Sequence, residues 1–258
     1  MNLIKTEIIE SVLKITLNRP DKFNSFNREM ALQFQKALDS ALTDSSIRAV
    51  YITGEGKAFC AGQDLAEAID NNGPGIEKIV REHYNPIIEK IRNLEKPVVC
   101  AVNGVAAGAG ANIALACDIV IAASSTFFIQ AFSKIGLIPD SGGTFFLPRL
   151  IGFAKASALM MLGDKISATD AEKMGMIYKV VDDAILHQEA FAITKTLGFM
   201  PTKAIGLTKR LLNQSMFNTL SKQLEYEGDM QIHAAATADY AEGVNAFLEK
   251  RKPVFKGE

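Results

Sequence analysis

Three apolar runs, residues 49–53, 97–102 and 118–122, read as buried strands, and each adjoins a loop or stretch of small residues. Helical periodicity fills the stretches between them. Strand followed by helix, repeated with short connections, predicts an α/β chain with no linker before residue 195. Ahead of the first run, residues 4–9 and 12–17 flank Glu10-Ser11 as the two arms of a hairpin. Asn18-Arg19-Pro20-Asp21 breaks the second arm, because Pro20 has no N–H for a ladder. Met30, Leu32, Phe34, Leu38 and Leu42 recur at helical spacing and predict a helix over residues 27–42; a second is expected over 76–94.

Beyond Phe191 the strand signals stop, and residues 203–215 and 220–250 read as helices charged on one face. Gly198-Phe199-Met200-Pro201 is the boundary this texture predicts, between a core of residues 1–197 and a helical region of residues 198–258. About 60 residues bury little by themselves, so that region is expected to pack on the core or on a partner chain.

Composition narrows the function classes. The chain has 258 residues, 48% of them hydrophobic, with a formal net charge of −1. Proteins that grip nucleic acid usually carry a basic excess, so no nucleic-acid partner is expected. No run approaches the eighteen or so apolar residues of a membrane span, and the opening MNLIKTEIIE carries no signal-like segment. Cys60, Cys100 and Cys117 are odd in number and lack CxxC spacing, which predicts buried thiols in a reducing compartment and a cytoplasmic protein. His83, His187 and His233 share no metal-like spacing, so no metal is expected, and each is read as a surface or helix-face residue.

Three segments could carry chemistry. Residues 57–65 (KAFCAGQDL) and 103–112 (NGVAAGAGAN) each follow a strand, and small side chains let a ligand approach their backbones. Two such loops meeting in space would offer unpaired N–H groups to a carbonyl oxygen that gains charge. Tight α/β packing explains the small residues equally well. The third segment, residues 135–144 (IGLIPDSGGT), precedes an apolar helix; from these residues alone Asp140 reads as a helix cap or as a chemical group.

In this order and at these separations, the segments resemble the crotonase (enoyl-CoA hydratase/isomerase) superfamily. Asn18-Arg19-Pro20 with Lys22-Phe23-Asn24, Ala61 to Leu65, Asn103-Gly104 to Asp118, Gly136 to Pro139 with Gly142-Gly143-Thr144, Ala171-Glu172 to Gly175 and the closing Arg251 to Phe255 all fit. The resemblance implies a spiral of repeated ββα units with a helical C-terminal region that builds trimers, often paired into hexamers. It implies an acyl-CoA thioester substrate and no separate cofactor, coenzyme A being part of the substrate. By the same analogy the oxyanion-hole donors are the backbone N–H groups of Ala61 and Ala109. Coenzyme A lies against Lys22, Phe23, Gln63, Asp64 and Leu65, with Phe255 and Lys256 reaching it from a neighbouring subunit.

Hydratases of that superfamily use two glutamates. Here Asn112 and Phe132 fall at their positions, while Asp140 stands where hydratases have a small residue. The pattern resembles the isomerases that rearrange ring-1,2-epoxyphenylacetyl-CoA or shift a double bond in an enoyl-CoA. One carboxylate suits that work if an apolar surround, here Phe132, Ile138, Phe145 and Phe146, raises its pKa. A hydratase or another chemistry of the superfamily is the rival, and a non-catalytic CoA-binding protein the rival of another class. Asp64 and Asp118 are expected to be structural. Glu67 sits in the segment, residues 66–80, expected near the acyl group. Lys203, Lys209 and Arg210 are read as a solvated face.

Overall fold

Residues 4–17 fold as the expected hairpin. Strands β1 (Ile4–Ile9) and β2 (Val12–Leu17) pair antiparallel with Ile9 opposite Val12, and Glu10 closes the turn at φ 55°. The structure, a computed structural model, describes residues 2–258. Helix α1 (Arg28–Thr43) starts at Asn27, whose side chain accepts the Met30 N–H at 2.9 Å. It buries Met30, Ala31, Phe34, Ala37, Leu38 and Ala41, whereas Leu32 and Leu42 from the same periodicity are exposed.

Three ββα units follow. The first is β3 (Ala49–Gly54), β4 (Ala58–Cys60), the short α2 (Leu65–Ala68), then α3 (Gly75–Lys78), a π turn (Ile79–Tyr84) and α4 (Asn85–Asn93). The second is β5 (Val98–Val102), β6 (Val105–Ala107) and α5 (Ala109–Leu115). The third is β7 (Ile119–Ala123), β8 (Phe127–Ile129) and, after a 3-10 turn, α6 (Gly143–Ile151) and α7 (Phe153–Leu162). Strand β9 (Lys165–Ser167), α8 (Ala168–Lys173) and β10 (Lys179–Val181) close the sheets; α9 (Leu186–Gly198), α10 (Thr202–Ser215), α11 (Leu220–Ala235) and α12 (Ala238–Leu248) complete the chain.

Each unit gives its first strand to a six-stranded sheet of order β1-β2-β3-β5-β7-β10 and its second to a four-stranded sheet of order β4-β6-β8-β9, so the chain advances as a spiral. Every pairing in the larger sheet except the hairpin is parallel. Both faces of that sheet are covered, which is why residues 49–53 and 98–102 are apolar without alternation. Val50, Ile52, Val98 and Cys100 join the main core with α1, α4 and α5. Ala49, Tyr51, Val99 and Ala101 face the other way, onto α9.

The helix expected over residues 76–94 is interrupted. Pro86 has no N–H to offer the Glu82 carbonyl, and the stretch before it widens into the π turn, with the Asn85 N–H reaching Val80 O. Gln35 of α1 supplies the missing donor: its Nε2 lies 2.8 Å from Glu82 O and 3.1 Å from His83 O. The wider turn carries His83 and Tyr84 inward. His83 is therefore buried, not on a surface or exposed helix face, with Nε2 3.0 Å from the Arg28 guanidinium.

Lys209 also departs from expectation. It is 5% exposed, and its ammonium donates to Asp118 at 2.7 Å, to Ile91 O at 2.7 Å and to Lys96 O at 3.2 Å. Asp118 additionally accepts from Arg92 and from the Val98 N–H, so it ties α10, α4 and the start of β5 together. The mixed apolar and charged pattern of α10 concealed this inward-facing cation. Asp239, buried in α12, accepts the N–H groups of Lys256 and Gly257 and folds the C-terminal tail back. Phe153, Phe217, Leu220, Ile232, Phe247 and Leu248 remain mostly exposed. No described helix is long and apolar enough to cross a membrane, and no metal-type cluster occurs among the described residues.

Candidate active site

The loop after β4 is shaped by the segment that precedes α1. Phe23 and Asn24 both take left-handed backbone, at φ 50° and 55°. Asn24 is buried and pays for its place with three bonds: Oδ1 accepts the Arg19 N–H at 2.8 Å, and Nδ2 donates to Glu55 O at 3.0 Å and Ala58 O at 2.8 Å. That turn lays residues 23–26 alongside residues 61–64. Ala61 N–H donates to Phe23 O at 3.0 Å, Phe26 N–H to Gly62 O at 2.7 Å and Asp64 N–H to Phe26 O at 2.8 Å.

This pairing corrects the expected donor. The Ala61 N–H is committed to Phe23 and does not face an incoming oxygen. Because Gly62 O and Asp64 N–H both point at Phe26, the N–H of Gln63 between them points to the opposite side. Among the described residues it meets no acceptor. Gly62, at φ 94°, brings the loop against the second small-residue segment: a Cβ there would lie 2.9 Å from Ala107 O and 3.6 Å from Ala109 N. Ala109 is the first residue of α5, and its N–H likewise has no partner among the described residues. The two loops therefore do meet, and the unpaired N–H groups at their junction include those of Gln63 and Ala109.

Side chains hold the Gln63 backbone in place. Its Oε1 accepts the Tyr84 hydroxyl at 2.8 Å and its Nε2 donates to Glu67 at 3.2 Å. Both Glu67 oxygens accept the Arg28 N–H at 3.0 Å, so this acid serves the start of α1. Asp64 pairs with Arg19 at 2.7 Å and caps α2 through the Ala66 N–H at 3.0 Å; Arg19 keeps its carboxyl below the usual range despite partial burial. Both acids are thus bonded into the framework of the loop.

Asp140 approaches from the third segment. Its carbonyl accepts the Gly143 N–H and the Asn112 side-chain amide, each at 2.9 Å. Asn112 is fully buried, and its Oδ1 accepts from Gln130 at 2.7 Å. A Cβ on Gly143 would stand 2.4 Å from Asn112 Nδ2, so only glycine at 143 admits this strut. Asn112 lies one turn beyond Ala109 on α5 and thereby fixes Asp140 relative to the free N–H. Burial pushes the Asp140 carboxyl up to about 6, against the opposing bond from Ser141 Oγ at 2.9 Å. Helix α6 begins at Gly143, with Gly142 at its N-cap position and no side-chain cap, so neither Asp140 nor Ser141 caps it.

The surround differs from expectation in part. Phe132 is buried, its ring 3.7 Å from where a Cβ on Gly108 would be, and Phe146 is buried. Ile138 is 82% exposed and does not cover Asp140 within the chain. Phe145 instead stacks on Phe217 with ring centroids 5.6 Å apart and lies under the Arg149 guanidinium. Tyr84, which sequence patterning assigned no role, is fully buried and interacts electrostatically with Asp140. Its π turn was the missing signal.

The remaining expected contacts lie near or apart from this cluster. Lys22, Phe23 and Leu65 are exposed on the paired segments that carry Gln63. Phe255 and Lys256 do not join it within one chain. The Phe255 carbonyl accepts from Arg48 at 2.9 Å and the Lys256 N–H donates to Asp239 at 2.6 Å.

The chain is similar to known proteins over its whole length. A 1,2-epoxyphenylacetyl-CoA isomerase of Escherichia coli is 48% identical, with both chains covered in full. A trans-2-decenoyl-[acyl-carrier-protein] isomerase of Streptococcus mutans is 37% identical over 96% of this chain and 95% of its own. The crystal structure of an enoyl-CoA hydratase from Polaromonas sp. JS666 superposes with a TM-score of 0.91 at 37% identity, covering 98% of this chain and 99% of that one. The family profile described as "Enoyl-CoA hydratase/isomerase" matches residues 7–258, and the chain belongs to that family.

Proposed function

We propose that this enzyme isomerises acyl-CoA thioesters through an enolate, acting on ring-1,2-epoxyphenylacetyl-CoA, on 3-enoyl-CoA, or on both. The observation that carries this reading is a carboxylate of raised proton affinity, Asp140, tied through Asn112 to the helix whose first residue, Ala109, has an unpaired N–H. Where hydratases of the superfamily have glutamates, Asn112 is consumed as a strut and Phe132 is a buried ring. Neither can activate water. The similarity to a 1,2-epoxyphenylacetyl-CoA isomerase supports the same choice.

In the double-bond reaction the thioester oxygen accepts the N–H groups of Gln63 and Ala109. Asp140 removes a proton from carbon 2, and the electron pair delocalises into the carbonyl as a dienolate. The same carboxyl then returns the proton to carbon 4 while the double bond moves from position 3 to position 2. No atom is gained or lost, and no cofactor or metal is required. Removing one oxyanion donor in other enzymes costs about 3–4 kcal/mol, so two fixed N–H groups are a substantial part of the rate.

Coenzyme A lies across the paired segments, against Lys22, Phe23 and Leu65 and the backbone of Gln63 and Asp64. The exposed apolar side chains on α7, α11 and α12 support assembly of copies into a trimer or a hexamer. In that assembly Phe255 and Lys256 serve a neighbour's coenzyme A, and the division near residue 198 separates catalytic core from assembly region. The enzyme works in the cytoplasm. The test is a substrate panel: turnover of a 3-enoyl-CoA or of the epoxide, with crotonyl-CoA hydrated far more slowly, is expected. Efficient hydration of crotonyl-CoA, at about 1–1000 per second, would overturn the assignment.

A further inference from the structure

Ser141 occupies a backbone conformation that L residues avoid. Its φ is 51°, and it precedes Gly142, at φ 72°. Glycine adopts this region without strain and stands next door, whereas a serine pays a steric penalty there. Ser141 is also 2% exposed, so its hydroxyl is not placed to meet water. That hydroxyl donates to Oδ1 of Asp140 at 2.9 Å. The Asp140 main chain is pinned independently, its carbonyl held by the Gly143 N–H and by Asn112. Among the described residues Ser141 is the one side chain that donates to this carboxyl, beside the bond from Asp140's own main-chain N–H. Strained residues of this kind cluster where a constraint serves chemistry.

We propose that Ser141 is a positioning residue that reserves Oδ1 of Asp140 and leaves Oδ2 as the one oxygen that takes and returns the substrate proton. This rests on reading Asp140 as the proton carrier. The bond can persist through the cycle: Ser141 donates to a carboxylate oxygen before proton removal and to the carbonyl oxygen of the acid afterwards. The proton arrives on Oδ2 and leaves from Oδ2, so the carboxyl need not rotate between the two transfers. Without Ser141 the carboxyl keeps only the bond from its own main-chain N–H, and rotation competes with return.

The same bond favours the charged form of Asp140, so its loss moves the acid limb of activity upward. Other groups around Asp140 do not mask that effect. Tyr84 of the π turn interacts with it, but burial keeps the phenol protonated. Asn112 of α5 is uncharged. Arg149 of α6 bonds Phe145 O and lies over the Phe145 ring, and Arg92 of α4 is engaged by Asp118 and Asn213. No ion pair reaches Asp140 among the described residues.

The experiment is the pH profile of kcat/KM for 3-enoyl-CoA isomerisation in wild type, Ser141→Ala and Ser141→Gly, each with a melting curve, beside Asp140→Asn. The acid limb is expected to move up by about half to one pH unit in both Ser141 variants, with the plateau lowered about threefold to tenfold. Ser141→Gly relieves the strain and is expected to melt at or above the wild-type temperature, which separates lost positioning from lost fold. An unmoved limb and a wild-type plateau, with Asp140→Asn inactive, would overturn the role of Ser141 and leave the proton carrier standing. Activity lost only in step with melting, limb unmoved, would overturn it as well. An active Asp140→Asn enzyme would overturn both readings.

Discussion

Gly143→Ala gives the sharpest structural test of the way Asp140 is held. On helix propensity alone the change should stabilise: Ala exceeds Gly by about 0.5–1 kcal/mol inside a helix, and Gly143 opens α6 without a left-handed φ. Against this, the added Cβ would sit 2.4 Å from Nδ2, 2.8 Å from Cγ and 3.0 Å from Oδ1 of Asn112. Ordinary contact requires the amide to retreat by about 1 Å, yet it is fully buried and held at 2.9 Å by Asp140 O and 2.7 Å by Gln130. Each bond is worth about 1 kcal/mol net, and a buried polar group left unpaired costs about 1–3 kcal/mol. The steric loss outweighs the propensity gain, and a net destabilisation of about 2–4 kcal/mol is expected. In a chain of this size that lowers Tm by about 5–15 °C. Asp140 would shift with its carbonyl partner, and a misplacement of about 1 Å costs on the order of a hundredfold in rate. Denaturant unfolding and isomerase assays on the same preparation measure both. A variant as stable as the wild type, with unchanged kcat, would refute the strut.

Three further outcomes follow from the same contacts. Tyr84→Phe removes the hydroxyl that holds Gln63 Oε1, and kcat should fall about tenfold or more with KM nearly unchanged, because the loosened N–H acts on the enolate more than on bound thioester; equal loss in KM would argue against that role. Asp140→Asn should stabilise the fold at pH 8. The carboxyl is raised to about 6 by burial, so its charge opposes folding above that pH. The penalty fades as pH falls through about 6 and is gone below the unfolded value of 3.8, where the two proteins should melt alike. Partial exposure of Asp140 limits the pH 8 gain to about 1–2 kcal/mol. Lys209→Ala leaves Asp118 with Arg92 and the Val98 N–H but strips its buried partner, and a loss of about 2–4 kcal/mol by denaturant unfolding is expected.

Much of this architecture was legible in the sequence because it depends on local chemistry. The hairpin, α1 and the strands at residues 49–54 and 98–102 follow from turn chemistry, helical periodicity and uninterrupted apolar runs. From its own residues Asp140 read as a helix cap or as a chemical group, and only the family resemblance decided between them; the two loops were marked by their small side chains. What stayed hidden depends on pairing between distant segments. Which N–H of residues 61–63 is free is decided by Phe23 and Phe26, about forty positions away in sequence, so the expected Ala61 donor was displaced by Gln63. Tyr84 faces inward because the helix widens before Pro86, an irregularity that a helical periodicity averages away. Lys209 looked solvated because its partner, Asp118, lies far from it in sequence.

The most direct test of the central claim is the single-turnover rate at which a 3-enoyl-CoA becomes the 2-enoyl product, followed spectroscopically for wild type and Asp140→Asn at saturating substrate. With Asp140 as the one proton carrier, the variant should bind substrate normally and convert it at least a hundredfold more slowly, about the contribution of a positioned acid–base group. Conversion by Asp140→Asn at the wild-type rate would contradict the account.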